Sequence, residues 1–181
     1  MSTPLEVALS SIEGAIARDP DRIVERGHPE LYTDDIVAVG EFRGRDAVRG
    51  FFAELFAAVP DYDMQIEQVI ADSNAVAVRW RASGTFDGGP FQGIQPSGRR
   101  VDIRGVDVFE VDGDHIVRNT VYYDGAAFAR QVGLLPREGS LADRAALRLF
   151  NARARLRRLV RRPGAALRPS SSRRSPTASG R

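Results

Sequence analysis

The stretch that most restricts what this chain can become runs from Val101 to Asp124. It reads VDIRGVDVFEV, then the turn Asp112-Gly113, then DHIVRNTVYYD. Two alternating apolar runs around Asp-Gly are the strongest short-range signal for a β-hairpin with a two-residue turn. Alternation puts Ile103, Gly105, Asp107, Phe109 and Val111 on one face of the first arm, and Asn119, Val121 and Tyr123 on one face of the second. Asp107 therefore sits in mid-strand among apolar neighbours. An ionised carboxylate is costly to bury, so it must be paired, hydrated or neutral there. Asp107 is the first candidate for chemistry, as an acid or hydrogen-bond donor. The competing reading is a structural Asp held by Tyr, Asn or water. Asn119 and Tyr123 are placed to meet it across the hairpin.

The segments before the hairpin supply the rest of a domain. Thr3-Pro4-Leu5-Glu6 is a capped helix start, and Leu5, Leu9, Ile12 and Ile16 follow at helical spacing. Asp19-Pro20-Asp21 opens a short second helix, which Gly27-His28-Pro29 ends. His28 and His115 both read as surface residues. A short strand, IVAV, is expected after the polar Thr33-Asp34-Asp35, and Glu41 to Arg45 reads as a loop. Ala47, Val48, Phe51, Phe52, Leu55, Phe56 and Val59 form a wide apolar stripe on a third helix that Pro60 stops. Tyr62–Ala71 and Ala75–Phe86 alternate as strands. In the second of these Val76, Val78, Trp80, Ala82 and Gly84 face one way, with Arg79 and Arg81 opposite. The Gly/Pro-rich run Asp87 to Gly98 is a rim or connector, and Gly125 to Val132 a short helix. Helix, helix, strand, helix and a four-stranded meander make an α+β fold, with helices on one face of a curved antiparallel sheet. Such a sheet encloses a conical cavity, and concave cavities are where small molecules bind.

Four stretches carry a family resemblance: Phe42-Arg43-Gly44-Arg45-Asp46-Ala47-Val48, Val76-Ala77-Val78-Arg79-Trp80, Gly93-Ile94-Gln95-Pro96-Ser97-Gly98-Arg99-Arg100-Val101, and Val106-Asp107-Val108-Phe109. Together they resemble SnoaL-like polyketide cyclase family proteins of the nuclear transport factor 2-like (cystatin-like) superfamily, over roughly residues 5–136. That superfamily includes ketosteroid isomerases and limonene epoxide hydrolases, and its fold hosts catalytic and non-catalytic members alike. The resemblance implies a homodimer formed through the sheet. It places Asp107 where ketosteroid isomerases hold a protonated Asp that donates to the substrate oxyanion, a case the apolar surroundings of a carboxyl explain. The base of those isomerases belongs near the end of the first strand, where this chain has Val39-Gly40-Glu41, making Glu41 a candidate. Their Tyr on the first helix falls near Ser10-Ser11. The positions of the limonene epoxide hydrolase Arg and two Asp hold Trp80, Ala82 and Val121, so that chemistry is not expected. The acid/base Asp of the polyketide cyclases falls near Val121. The nearest carboxylate, Asp124, points away unless the strand end twists or bulges. The expected pocket has Asp107 as its catalytic residue and Trp80, Asn119, Val121, Tyr123, Phe52 and Ile103 as its ligand-binding wall.

Composition narrows the chemistry further. The chain has no Cys, which excludes thiolate chemistry, and two His far apart in sequence, which argues against a His-based metal site. No metal and no cofactor are expected. MSTPLEVALSSIEG lacks the basic and long apolar segments of a secretion signal, so a cytoplasmic protein is the expectation. Every basic residue is Arg, and the charge is divided. Residues 1–136 hold 13 Arg against 22 acids, a net of −9, and residues 137–181 hold 13 Arg against 2 acids, a net of +11. Three parts are therefore expected: the pocket domain over 1–136, a basic amphipathic helix over 137–162, and a disordered basic tail over 163–181.

Two functions of different class fit this organisation. The first is a cofactor-independent cyclase, isomerase or dehydratase that works by proton transfer on a small apolar carbonyl compound. The second is a non-catalytic ligand-binding or protein-interaction module. The Arg-rich helix adds a further expectation, contact with an anionic membrane surface or nucleic acid, against the alternative that it packs on its own domain or a dimer partner.

Overall fold

A computed structural model describes residues 2–160. They divide into two compact units, one ending at Glu138 and one beginning at Gly139. The first contains α1 (Pro4–Ala17), α2 (Pro20–Val24), β1 (Thr33–Ile36), β2 (Gly40–Arg43), α3 (Arg45–Ala58), β3 (Asp63–Ala71), β4 (Ala75–Phe86), β5 (Arg99–Asp112), β6 (His115–Tyr123) and α4 (Gly125–Val132). The second contains α5 (Leu141–Val160). Arg161 and Arg162 of the expected basic helix, and all of the expected disordered tail, lie outside the described residues.

One six-stranded sheet runs in the order β2-β1-β6-β5-β4-β3. Every pair is antiparallel except β1 and β6, which run parallel. The mixed α+β architecture expected from the sequence is present, with helices on the inner face of a curved, open sheet. α1 begins with the expected reciprocal cap: the Glu6 amide donates to the Thr3 hydroxyl, and the Thr3 amide donates back to the Glu6 carboxylate. Its buried apolar side chains, Val7, Ala8, Ile12 and Ala15, join Val48, Phe51 and Phe56 of α3 against Val76, Val78, Trp80, Val101, Phe109 and Val121 of the sheet.

Three local expectations are corrected. The first strand is Thr33–Ile36, not the IVAV run: Val37 to Val39 form a turn, and Val37 and Val39 are exposed. Glu41 to Arg43, expected as loop, is strand β2, which folds back on β1. The apolar run misleads because β1 directs one of its Asp residues, Asp34, inward, so hydrophobicity peaks just after the strand instead of within it. The third correction concerns the hairpin. Asp112 pairs with His115, so the two-residue loop is Gly113-Asp114 and not Asp112-Gly113. Gly113 supplies the positive φ of 57° that the first loop position needs.

Two bulges set which side chains face inward. Glu67 is the extra residue between the Ile66–Trp80 and Gln68–Arg79 pairs. It shifts the phase of β3 so that Met64 and Val69 face the same side, and it accepts from Arg79 and Arg104 on the outer face, each at 3.1 Å. Val117 is the extra residue near the start of β6, which lets Ile116, Asn119 and Val121 all turn inward.

Candidate active site

A cavity of about 100 Å³ opens between the helices and the inner face of the sheet. Asp107, Trp80, Asn119, Val121, Tyr123, Phe52 and Ile103 all line it. Ile12 of α1, Phe51 and Leu55 of α3, Met64 of β3 and Phe128 of α4 complete much of the apolar wall. Phe91 adds to it from the Gly/Pro-rich loop, where Phe91 and Ile94 exchange backbone hydrogen bonds. That loop is therefore part of the wall as well as a connector.

Asp107 is buried and held from two sides. Trp80 Nε1 donates to Oδ1 at 2.7 Å, and Asn119 Nδ2 donates to Oδ2 at 3.1 Å. Register explains both bonds. Trp80 stands opposite Gly105 on β5, one inward position before Asp107. A Cβ on Gly105 would lie 2.4 Å from Trp80 Cζ2, so only glycine lets the indole lie across that strand and reach the carboxylate diagonally. Asn119 stands opposite Phe109, the next inward position after Asp107, and leans back to it. Tyr123 faces Gly105 and forms wall, with no hydrogen bond to Asp107 among the described residues.

The sequence pattern does not single out the remaining member of this group. Asp34 on β1 is 1% exposed and faces the cavity. The parallel β1–β6 pairing sets it beside Asn119, whose Nδ2 also lies 3.4 Å from Asp34 Oδ1. One amide thus reaches two carboxyls. The only signal for Asp34 in the sequence is an acidic residue next to a short apolar run, which is weak. Gly105 carries a better one, an isolated glycine in mid-strand, which marks close backbone approach.

Among the described residues no Arg lines the cavity, so none of them offsets the cost of charge there. Burial pushes the Asp107 carboxyl up to about 6, against the opposing effect of the bonds from Trp80 and Asn119. Burial, together with the nearby Asp107, pushes Asp34 well above the ordinary carboxylate range. Two like charges this close cannot both form cheaply, so the pair favours the state in which one carboxyl keeps its proton. Two buried polar atoms in this region, Asn119 Oδ1 and the Tyr32 hydroxyl, have no hydrogen-bond partner among the described residues.

Other candidates lie elsewhere. Glu41 is exposed on β2 and pairs with Arg43, so it supplies no group to the cavity. Asp124 caps α4, accepting from the Ala127 amide at 2.9 Å. Val121 leaves that stretch of β6 without a carboxylate facing in. Ser11 of α1 is buried at the cavity wall. His28 and His115 are half-buried and meet edge-to-face at 5.6 Å. Among the described residues, no group of three His, Cys, Asp or Glu is placed to hold a metal ion, and no helix is long and apolar enough to cross a membrane.

A model of the SnoaL-like polyketide cyclase family matches residues 7–132. No curated protein matches the chain. Solved structures similar to it include a candidate SnoaL-like polyketide cyclase from Jannaschia sp. CCS1, 24% identical, covering 74% of this chain and 93% of that one with a TM-score of 0.65. A protein of ketosteroid isomerase-like fold from Catenulispora acidiphila is 18% identical, covers 77% and 99% of the two chains, and has a TM-score of 0.60. TerC, co-crystallised with polyporic acid, is 17% identical over 72% and 98%, with a TM-score of 0.56. At these identities the likeness is one of fold.

Proposed function

This chain belongs to the SnoaL-like polyketide cyclase family, and from its buried carboxyl pair we propose that it is a cofactor-independent enzyme moving a proton on a small apolar carbonyl compound. The observation that carries this is Asp34 and Asp107 facing one apolar cavity, bridged by the Asn119 amide. A pair holding one proton contains a base and an acid at once. The two bonds from Trp80 and Asn119 favour the charged form of Asp107, so Asp107 is the base that takes a proton from the carbon beside the carbonyl. Asp34 keeps its proton and gives it to the carbonyl oxygen as the enol forms. The pair ends with the one proton it began with, relocated to Asp107. From the enol, return of that proton to a different carbon gives isomerisation, and attack on a second carbonyl gives cyclisation. The catalytic role assigned to Asp107 thus shifts from donor to base, with Asp34 taking the donor role.

The test is solvent-deuterium exchange at the α-carbon of a panel of apolar cyclic ketones, β-tetralone among them. Wild type exchanges deuterium faster than buffer. Asp107→Asn slows this by about 10²-fold or more, within the usual range for a general acid or base. A ketone that binds, by its shifted NMR lines, yet exchanges at the buffer rate in wild type rejects the enzyme in favour of a binding module. The homodimer belongs to the same proposal. Its surface is the outer face of the sheet, where Ile70 and Tyr122 are exposed, and a monomeric sedimentation velocity profile rejects it.

A further inference from the structure

Helix α5 carries a surface that the pocket chemistry does not use. Its start is tied down locally: the Asp143 amide donates to the Ser140 hydroxyl at 3.1 Å, and the Gly139 amide donates to the Asp143 carboxylate at 3.0 Å. At about 100° per residue, Leu141, Ala145, Leu149, Ala152 and Leu156 fall within an arc of about 80°. Leu141 is 85% exposed, Leu149 54% and Leu156 63%. Arg144, Arg148 and Arg155 border one edge of this stripe, and Arg153 and Arg157 border the other. Asp143 lies on the opposite side. Leu147 and Phe150, also exposed, fall outside the stripe.

We propose that α5 lies along an anionic phospholipid surface, with the Leu141–Leu149–Leu156 stripe dipped into the acyl boundary and the flanking Arg side chains on lipid phosphates. The charge is complementary to such a surface, since residues 137–181 hold 13 Arg and only 2 acids. The arrangement also fits: an Arg stem lies along apolar surface while its guanidinium stays among the headgroups, and the guanidinium fork matches phosphate oxygens. Arg on both borders of one apolar stripe satisfies these demands together. Nucleic acid would engage the Arg side chains and leave the leucine stripe without a role. A second α5 would cover the stripe but bring Arg borders of like charge against each other.

The test uses the full chain in co-sedimentation with vesicles of phosphatidylcholine, alone or mixed with phosphatidylserine. Binding is expected only to the mixed vesicles, and weaker in high salt. The Leu149→Glu/Leu156→Glu double variant, altered only at exposed positions, is expected to bind at least about tenfold more weakly. Leu147→Ser is expected to bind like wild type, which separates the stripe from general hydrophobicity. An unchanged melting temperature in each variant shows that the pocket domain is intact. Absence of vesicle binding, equal binding to both vesicle types, or undiminished binding by the double variant overturns the proposal. Binding to a duplex DNA probe that survives the double substitution, with no vesicle binding, also overturns it and assigns the Arg face to nucleic acid.

Discussion

On β5, Asp102 faces out and Asp107 faces in, and the two carboxyls meet opposite surroundings. Asp102 is exposed and paired with Arg81, and its hydrogen bonds with that guanidinium hold it below the ordinary carboxylate range, with Arg104 and Arg100 nearby. Asp107 accepts from an indole N–H and an amide N–H, with no cation lining its cavity among the described residues, and burial pushes it up to about 6. The outer face repeats the Arg pairing at Glu67, which accepts from both Arg79 and Arg104. The inner face repeats the effect of burial at Asp34. Pairing with Arg makes a carboxylate inert near neutral pH. Neutral donors in an apolar cavity leave it able to exchange a proton. One strand thus makes both kinds, through a side-chain period of two residues.

The contrast breaks most severely at Gly105. In Gly105→Val the added side chain displaces Trp80 and strands Asp107 without its indole donor, an expected loss of about 3–5 kcal/mol from overpacking and a lost buried hydrogen bond. Urea unfolding measures the loss, and the fluorescence of Trp80, the single Trp, reports the displaced indole.

The next effect is the pH dependence. The folded state raises Asp107 from 3.8 to about 6, so it holds a proton that the unfolded chain has already released. The contribution of Asp107 to stability is therefore complete below the unfolded value and lost as pH rises through the folded one. From about pH 4 to pH 7 that loss is roughly 3 kcal/mol. Asp107→Asn should escape it, and unfolding of the two proteins across that range shows whether the difference closes. Asp102 works with the opposite sign, since a lowered carboxyl contributes at higher pH.

A smaller effect is expected from Trp80→Phe. Losing the indole donor raises Asp107 further and costs about 1–3 kcal/mol, and infrared titration of the carboxyl stretch follows the shift. Arg81→Ala should return Asp102 toward its ordinary value and leave the unfolding midpoint unchanged within error, because an exposed pair is screened by water. A large change there, or an unshifted Asp107 in Trp80→Phe, would mean that the two faces differ less than their surroundings indicate.

Much of this arrangement is legible in the order of residues alone. The alternation of β4, β5 and β6 sets the inward positions of Trp80, Asp107, Asn119, Val121 and Tyr123, because period two follows from the backbone itself. Gly125 to Val132 reads as a short helix for equally local reasons. The phase slips at Glu67 and Val117 are not legible, since an extra residue in a strand leaves no fixed mark in hydrophobicity. Asp34 is hidden for a related reason. Its strand is four residues long and includes Thr33, Asp34 and Asp35, so it lacks the apolar pattern that identifies strands.

The sequence by itself determined a curved sheet with helices on one face and a carboxyl at mid-strand in its core. It also determined an acidic domain followed by an Arg-rich helix. These follow from local periodicity and charge, which each segment carries alone. Only the tertiary structure decided that Asp107 has a second carboxyl for company. The parallel pairing of β1 with β6 brings Asp34 to the Asn119 amide, across a separation of 85 residues. No local pattern encodes that pairing, because it depends on where two strands meet once the helices have closed over the sheet.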